Sequence, residues 1–266
     1  MDSTQLAHIA SENKEIIMNG YYTINGRRVY LGYTQGARTF LPKYPIDNSH
    51  IPQRASSNGI RISVQDIDVI TCALANPDCM LLNFASGFHP GGGYLRGSRA
   101  QEETICRCST LYAQIDGNIM YDYSRKHDTT HSLCTDAVSV TTDTQLFRDK
   151  DYHFINDPVY IGIITAAAPN CKIRPGTIDI SKLAPAAMEQ RIRRIVDVAV
   201  MFHYPVLLLG AFGCGAFHNN PYKTAASFKK VLVDENRAVY FDKIIFPIPV
   251  AEDNTNFNVF KEVLES

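Results

Sequence analysis

The apolar and polar positions along the chain predict one N-terminal helix followed by strands that alternate with helices. From residue 61 onward, short continuous apolar runs alternate with segments of helical periodicity. Strands are predicted at 29–31, 61–65, 79–84, 137–141, 159–165, 206–209 and 243–248, and helices at 4–19, 66–75, 99–115, 185–203, 221–235 and 254–264. This alternation predicts an α/β fold with a mainly parallel or mixed sheet between helix layers.

Two stretches show neither the apolar runs typical of strands nor the helical periodicity. Residues 34–58 are rich in Pro, Ser, Asn and Gly and predict an irregular segment wrapped over the body of the protein. Residues 117–153 are polar and predict mostly loop around the short strand at 137–141. Because no repeat or low-complexity linker interrupts the pattern, we expect one domain over 1–266, with 1–58 as an accessory segment packed on the core.

Composition narrows the class of partner. The 266 residues are 45% hydrophobic and carry a formal net charge of −1, so no broad basic field is available for nucleic acid. The cysteine count of seven is odd, which favours free thiols in a reducing compartment. With no apolar leader and no run of about 18 apolar residues, we expect a cytoplasmic protein, or a nuclear one in a eukaryote, without a membrane span.

Candidate chemistry is concentrated between residues 89 and 117. Gly91, Gly92 and Gly93 allow backbone amides to approach a ligand, and the predicted helix that follows carries Glu102 and Glu103 in its first turn. Ser98 and Gln101 have the spacing of a capping box. Adjacent helical residues point about 100° apart, so the two glutamates cannot flank one glycosidic bond as a paired acid and nucleophile. The residues alone leave their two roles interchangeable.

A second glycine-rich loop, 210–215, follows the predicted strand at 206–209. Both loops leave central strands, and ligands of such sheets bind beyond the strands' carboxyl ends, so the loops are expected to converge on one cleft. Gly213 and Gly215 free a nest of amides for an anion such as a diphosphate. Neither GxGxxG nor GK[ST] is present, which disfavours a Rossmann or P-loop nucleotide site.

The triple glycine followed after a seven-residue spacer by Gln101-Glu102-Glu103 resembles the signature of the poly(ADP-ribose) glycohydrolases of the macrodomain superfamily. LNFAS at 82–86, TAAAPN at 165–170 and GAFGCGAFHNNP at 210–221 extend the resemblance, which is greatest to the bacterial-type branch. The resemblance implies a macrodomain-like three-layer α/β/α sandwich with a mixed central sheet and an N-terminal helical extension. It also implies a monomer without cofactor that binds poly(ADP-ribose) or ADP-ribosylated proteins and releases ADP-ribose, mainly from chain ends.

The same resemblance assigns roles to residues. Glu103 is expected to be the general acid and then base, and Glu102 to order the ribose. Asn83 is expected to contact the distal ribose, Phe217 to pack on it, and Asp66 to bind the adenine amino group. The expected substrate-binding set is Asp66, Asn83, Gly91, Gly92, Gly93, Gln101, Gly213, Cys214, Gly215, Ala216 and Phe217.

Simpler interpretations stay open for three of these residues. Asn83 would equally cap a strand end, Phe217 would suit a core, and Asp66 would suit a helix N-cap. Asn170 follows a strand and is expected to face the same cleft, in an open role. Phe212 stands where many family members have Trp, a change that concerns packing more than chemistry.

No metal site is expected, because His127 and His131 are four residues apart without the glutamate of an HExxH motif. Cys214 has no histidine tied to it by a motif and is expected to be a small packed residue rather than a nucleophile.

Two other functions stay open. One is an ADP-ribose reader, which would not need the Gln-Glu-Glu triplet, and the other is hydrolysis of mono-ADP-ribosyl or O-acetyl-ADP-ribose conjugates.

Overall fold

The computed structural model describes residues 1–54, 61–173, 178–250 and 252–266. Eight α-helices and nine strands are described within these ranges. The helices are α1 Ser3–Asn19, α2 Val69–Leu74, α3 Gln101–Cys108, α4 Leu111–Ile115, α5 Ile119–His127, α6 Ala184–Val200, α7 Pro221–Lys229 and α8 Thr255–Leu264. The strands are β1 Tyr21–Ile24, β2 Arg27–Tyr30, β3 Arg38–Phe40, β4 Arg61–Gln65, β5 Cys79–Phe84, β6 Val138–Arg148, β7 Phe154–Ala166, β8 Val206–Leu208 and β9 Lys243–Pro247.

Seven strands form a mixed sheet in the order β3-β6-β7-β5-β8-β9-β4. β7, β5, β8, β9 and β4 pair in parallel, whereas β6 pairs antiparallel with both β7 and β3. β1 and β2 form a separate antiparallel hairpin. β5 is therefore the central strand, with three strands on each side of it.

Alternate residues of the central strands enter two different cores, as expected for side chains with a period of two. Met80 and Leu82 of β5 pack in the core that includes residues of α6, α7 and α8. Cys79 and Leu81, their neighbours, pack in the core that includes residues of α2, α3, α4 and α5. The predicted three-layer α/β/α sandwich with a mixed sheet is thus confirmed.

The N-terminal helix forms where the pattern predicts it and has a defined cap at each end. Asp2 and Gln5 exchange the two hydrogen bonds of a capping box, and Gly20 ends the helix with φ of 74°. No helix of the described ranges combines the length and the apolar character needed to cross a membrane.

The predicted loop at 117–153 is partly wrong, although the strand predicted at 137–141 is present as the first part of β6. It contains α5, capped by Asn118, and the eleven-residue strand β6. The part of β6 after residue 141 was not predicted, because its polar residues resemble those of a loop. Thr144 and Gln145 are buried there and bonded to other polar groups. The Thr144 hydroxyl donates to Gln114 Oε1 (2.7 Å), and Gln145 Nε2 donates to the Gly32 carbonyl (2.8 Å).

The predicted irregular segment is also partly wrong. β3 lies inside 34–58 and pairs with β6, while residues 55–58 lie outside the described residues. The predicted helix at 99–115 is in fact two helices. It breaks at Ser109, which has an extended backbone and forms an isolated bridge to Leu146.

Candidate active site

One cleft of about 560 Å³ opens where the carboxyl ends of β5 and β9 meet the first turn of α3 and the loop after β8. This is the edge at which parallel sheets bind ligands. Eight of the residues singled out by the sequence line this cleft together. They are Gly92, Gln101, Glu102, Glu103, Gly213, Gly215, Ala216 and Phe217.

Gln101 joins the start of α3 to the central strand β5. Its Oε1 accepts from the Phe84 N–H (2.8 Å), and its Nε2 donates to the Leu82 carbonyl (2.8 Å). Since its amide is used in this way, the capping box predicted with Ser98 is wrong. Ala100 is the N-cap instead, without a side-chain cap among the described residues. Gln101 fixes the start of α3 against β5.

Glu102 is only 3% exposed on the cleft wall. Its Oε2 accepts from the Ser86 N–H (2.7 Å), while its Oε1 is buried without a hydrogen-bond partner in the described part of the chain. Burial, with the nearby charge of Glu103, raises the pKa of the Glu102 carboxyl to about 8, against the smaller opposing effect of its hydrogen bonds. At neutral pH the carboxyl therefore retains its proton to a large extent.

Glu103 has a parallel arrangement at the next position of the helix. Its Oε1 accepts from the Gly93 N–H (2.8 Å), and its buried Oε2 has no hydrogen-bond partner within the described ranges. A Cβ at Gly92 would lie 2.5 Å from Glu103 Oε1 and 3.0 Å from Glu102 Oε2. Glycine at position 92, with φ of +56°, therefore lets the loop pack directly on both carboxyl groups.

Tyr121 is a buried polar group that the sequence did not indicate, because α5 was predicted as loop. Its hydroxyl has no hydrogen-bond partner among the described residues. Burial and the nearby Glu102 carboxyl raise the pKa of this hydroxyl well above its usual value. Tyr121 is thus a buried neighbour of Glu102.

The second glycine loop also lines the cleft. Gly210, with φ of +133°, lies against the Phe84 ring, and Gly213, with φ of +74°, lies against Ala168 and the Asn219 amide. Asn219 Nδ2 donates to the carbonyls of Pro169 (2.6 Å) and Gly213 (3.0 Å). This side-chain amide holds the loop in its turn.

The remaining residues of this loop separate into cleft and core. Phe217 is half-buried on the cleft wall, and Ala216 is exposed there. Cys214 packs with the partly buried residues against the core, and burial raises the pKa of its thiol to about 11. This agrees with a packed thiol rather than a nucleophile. Phe212 is fully buried and packs edge-on against Phe84, with 5.5 Å between ring centroids.

Five of the predicted site residues do not line the cleft: Asp66, Asn83, Gly91, Gly93 and Cys214. Asn83 is fully buried, donates to Thr165 Oγ1 (3.3 Å), and lies close enough to Glu102 to lower that carboxyl's pKa. Asp66 is exposed and accepts from the Val250 N–H (2.8 Å), next to the cleft wall. Asp66 is not the helix N-cap, because Asp68 occupies that position and accepts from the N–H groups of Ile70 and Thr71.

The sequence missed several other residues of the wall, among them Asp68, Arg99 and Asn256. Asp68 alone carried a signal, since its carboxylate at the start of a predicted helix is typical of an N-cap. Asn170 lines a second cavity of about 290 Å³, not the main cleft, so its predicted position is wrong. Within the described ranges no cluster of three or more His, Cys, Asp or Glu side chains could hold a metal ion.

Comparison with solved structures identifies similar proteins. The X-ray structure of poly(ADP-ribose) glycohydrolase (PARG) from Thermomonospora curvata matches with a TM-score of 0.87 and 26% identity, covering 98% of this chain and 100% of that chain. The same enzyme bound to the inhibitor ADP-HPD matches with a TM-score of 0.83 and 26% identity over 97% of this chain and 99% of that chain. PARG from Deinococcus radiodurans in complex with ADP-ribose matches with a TM-score of 0.74 and 29% identity over 86% and 94% of the two chains.

A search of curated proteins found no significant match. The family model described as "Microbial-type PARG, catalytic domain" matches residues 10–149. That range is more than half of the chain, and it contains the triple glycine and both buried glutamates. The chain therefore belongs to the family of microbial-type poly(ADP-ribose) glycohydrolase catalytic domains.

Proposed function

We propose that this poly(ADP-ribose) glycohydrolase cleaves ribose–ribose O-glycosidic bonds from the ends of the polymer and releases ADP-ribose, with Glu103 as general acid and then base. One observation carries the assignment. Two adjacent carboxyl groups are buried on one cleft wall, each with one oxygen held by a loop amide and the other without a hydrogen-bond partner among the described residues. Burying carboxyl oxygens without hydrogen-bond partners costs folding free energy. The presence of two such carboxyl groups therefore supports a functional role for them.

Glu103 is the better placed of the two for proton transfer. It is 7% exposed, against 3% for Glu102, and the Gly93 N–H fixes its Oε1 so that Oε2 is free to act. In the forward step the Glu103 carboxyl gives its proton to the departing ribose oxygen as the C–O bond breaks. Water then attacks the oxocarbenium-like carbon, and the Glu103 carboxylate accepts the proton that water loses.

Glu102 orders the ribose in this proposal. With a pKa of about 8, its carboxyl is largely neutral at pH 7 and can donate a hydrogen bond to a ribose hydroxyl. A neutral neighbour also places no second negative charge next to Glu103. The bound diphosphate supplies negative charge to the transition state instead, which agrees with the absence of an opposed carboxylate pair in the sequence motif.

The second glycine loop binds the diphosphate in this proposal. Gly213, Gly215 and Ala216 line the same cleft as the glutamates, and Phe217 provides an aromatic surface for the distal ribose. Cys214 would contribute only its backbone amide, because its side chain packs toward the core. Asp66 would act on the adenine end through the Val250 segment that it holds.

The decisive comparison is between the wild type and Glu103→Gln, with auto-modified poly(ADP-ribose) polymerase as substrate. We expect the wild type to release ADP-ribose, which chromatography measures. The variant should release it about 10²–10⁴-fold more slowly, which is the usual contribution of general acid–base catalysis. Calorimetric titration with ADP-ribose is the control, and both proteins should bind it. A folded wild type that binds ADP-ribose and releases none would instead be a reader.

Two further measurements delimit the substrate. Polymer labelled at its ends should yield monomeric ADP-ribose from the earliest time points; early oligomers would show internal cleavage. Mono-ADP-ribosylated protein and O-acetyl-ADP-ribose, assayed in parallel, should be cleaved much more slowly than polymer. Preferential cleavage of either one would overturn the assignment of the leaving group.

A further inference from the structure

Asn13 is a polar residue at a core position of the N-terminal helix. It is fully buried, on the same helix as the buried apolar residues Leu6, Ile9 and Ile16. A buried amide must satisfy its hydrogen-bonding groups, and Asn13 does so outside its own helix. It bonds to three separate segments of the chain.

Two of these bonds are made by its amide nitrogen. Nδ2 donates to the Arg107 carbonyl (2.8 Å) and to the Tyr94 hydroxyl (3.3 Å). Its oxygen, Oδ1, accepts from Arg148 Nε (2.9 Å). Arg148 also pairs with Glu12 of the same helix (2.5 Å), so α1 is tied to the end of β6 at two adjacent positions.

Both amide donations lead to the same catalytic hydrogen bond. Arg107 lies in the last turn of α3, the helix that carries Glu103 in its first turn. Tyr94 directly follows Gly93, whose N–H donates to Glu103 Oε1. Asn13 therefore holds the donor segment and the acceptor helix of the Gly93–Glu103 hydrogen bond from a single point.

Neighbouring contacts strengthen this connection. The Arg107 guanidinium donates to the Ser98 carbonyl, which lies between the glycine loop and α3. A Cβ at Gly97 would lie 2.0 Å from the Ser3 carbonyl oxygen, so the spacer between glycines and glutamates rests directly on α1. The Tyr94 ring packs at a tilt against the Tyr112 ring, with 4.9 Å between ring centroids. The loop that holds Glu103 is thus packed between α1 and α4.

A catalytic carboxyl group tolerates little displacement, since an error of about 1 Å can cost about 10²-fold in rate. Because the Gly93 amide sets the orientation of Glu103, a shift of the loop relative to α3 would rotate the carboxyl away from the bond it protonates. We propose that Asn13 is a positioning residue that, through Tyr94 and Arg107, holds Glu103 in its reactive orientation. This inference rests on the proposed function of Glu103.

The test replaces Asn13 with Leu, which keeps the number and branching of the side-chain heavy atoms and removes all three hydrogen bonds. Rates of ADP-ribose release are measured over a range of polymer concentrations, with ADP-ribose affinity and melting temperature. We expect kcat to fall by about 10–100-fold while KM and the ADP-ribose Kd change by less than about twofold. Tyr94→Phe, which removes one hydroxyl from a buried ring, should lower kcat by a smaller factor.

Ile16→Ala is the matched control. Ile16 is buried in the same helix but packs in a separate cluster with Tyr22, Val29 and Phe147. It should lower the melting temperature and leave kcat unchanged below the transition. The inference is overturned if Asn13→Leu and Tyr94→Phe retain wild-type kcat, or if Ile16→Ala lowers kcat as much. A wild type without release would instead refute the proposed function, so the two failures are distinguishable.

Discussion

The two glycine-rich loops of the cleft differ in the space around one glycine of each, Gly92 in the first loop and Gly215 in the second. In the first loop, a Cβ at Gly92 would meet the carboxyl oxygens of both Glu103 and Glu102 within 3.0 Å. In the second, a Cβ at Gly215 would meet no heavy atom of the described residues within 4 Å. Gly92 is thus packed against the two carboxyl groups proposed to act in catalysis, whereas Gly215 has open space beside it.

The difference also appears in burial. Three side chains near the first loop are buried, namely Glu102, Glu103 and Tyr121. Each has one oxygen without a hydrogen-bond partner among the described residues. Gly215 and Ala216 of the second loop are exposed. The glutamate wall is thus a preorganised, dry environment, which favours proton transfer. In the proposed function, the diphosphate binds at the more exposed second loop.

The largest effect should come from filling the first loop. In Gly92→Ala the new methyl group collides with both carboxyl groups, and an alanine must adopt φ of +56°. The hydrogen bond between Gly93 and Glu103 should therefore be disrupted. We expect kcat for ADP-ribose release to fall by about 10²-fold or more, as for a misplaced catalytic group. The measurement is the initial rate on automodified polymer.

Gly117→Ala is the matched control for Gly92→Ala. Gly117 has φ of +72°, but a Cβ there meets no described heavy atom within 4 Å. It imposes a backbone strain of about 1–2 kcal/mol without the collision. If both variants lose activity equally, strain and not the carboxyl contact would account for the effect.

A second prediction concerns the dry wall and the pH dependence of stability. The pKa of Glu102 is about 8 when folded and 4.5 in its unperturbed state, so the native protein retains a proton that the unfolded chain loses. The Glu102 contribution therefore lowers the free energy of unfolding as pH rises from about 4.5 to 8, by about 1.4 kcal/mol per unit at most. Glu102→Gln cannot lose a proton and should become more stable relative to the wild type over that window.

Urea denaturation at pH 5, 6, 7 and 8 measures this difference. Glu252→Gln, at an exposed carboxylate, is the control and should follow the wild-type curve. A constant stability difference between wild type and Glu102→Gln from pH 5 to 8 would contradict the raised pKa. It would also remove the reason to regard the glutamate wall as dry.

The smallest effect should come from the open loop. Gly215→Ala adds a methyl group where the described structure leaves space, without a left-handed φ. The free energy of unfolding should stay within about 0.5 kcal/mol of the wild type. The ADP-ribose Kd should rise about tenfold, equivalent to about 1.4 kcal/mol, because the methyl group occupies the diphosphate space. Calorimetry that finds an unchanged Kd would show that this loop does not hold the ligand.

Much of the fold was predictable from the sequence. β4, which alternates polar and apolar residues, and β5, which is a short and mostly apolar run, both have the predicted bounds. α5 and the part of β6 beyond the predicted 137–141 were missed. In β6 the polar residues are satisfied by partners distant in sequence, as Thr144 is by Gln114. Local pattern carries no information about such partners, so a buried polar strand is indistinguishable from a loop.

The candidate site divides in the same way. The triple glycine and the Gln-Glu-Glu triplet are separated by only seven residues, so their spacing alone indicated a loop next to a helix N-terminus. The predicted capping role of Ser98 failed because Gln101 bonds to β5 instead of to its own helix. Asn13 was unpredictable for a similar reason, since its partners lie 81, 94 and 135 residues away.

The sequence by itself determined the layer architecture, the two glycine loops and the position of the paired glutamates, because each depends on residues close together in the chain. Only the tertiary structure decided which groups surround those glutamates. Burial raises the pKa of Glu102, and a loop amide orients Glu103. Both effects depend on the exclusion of water by segments that meet only when the chain has folded.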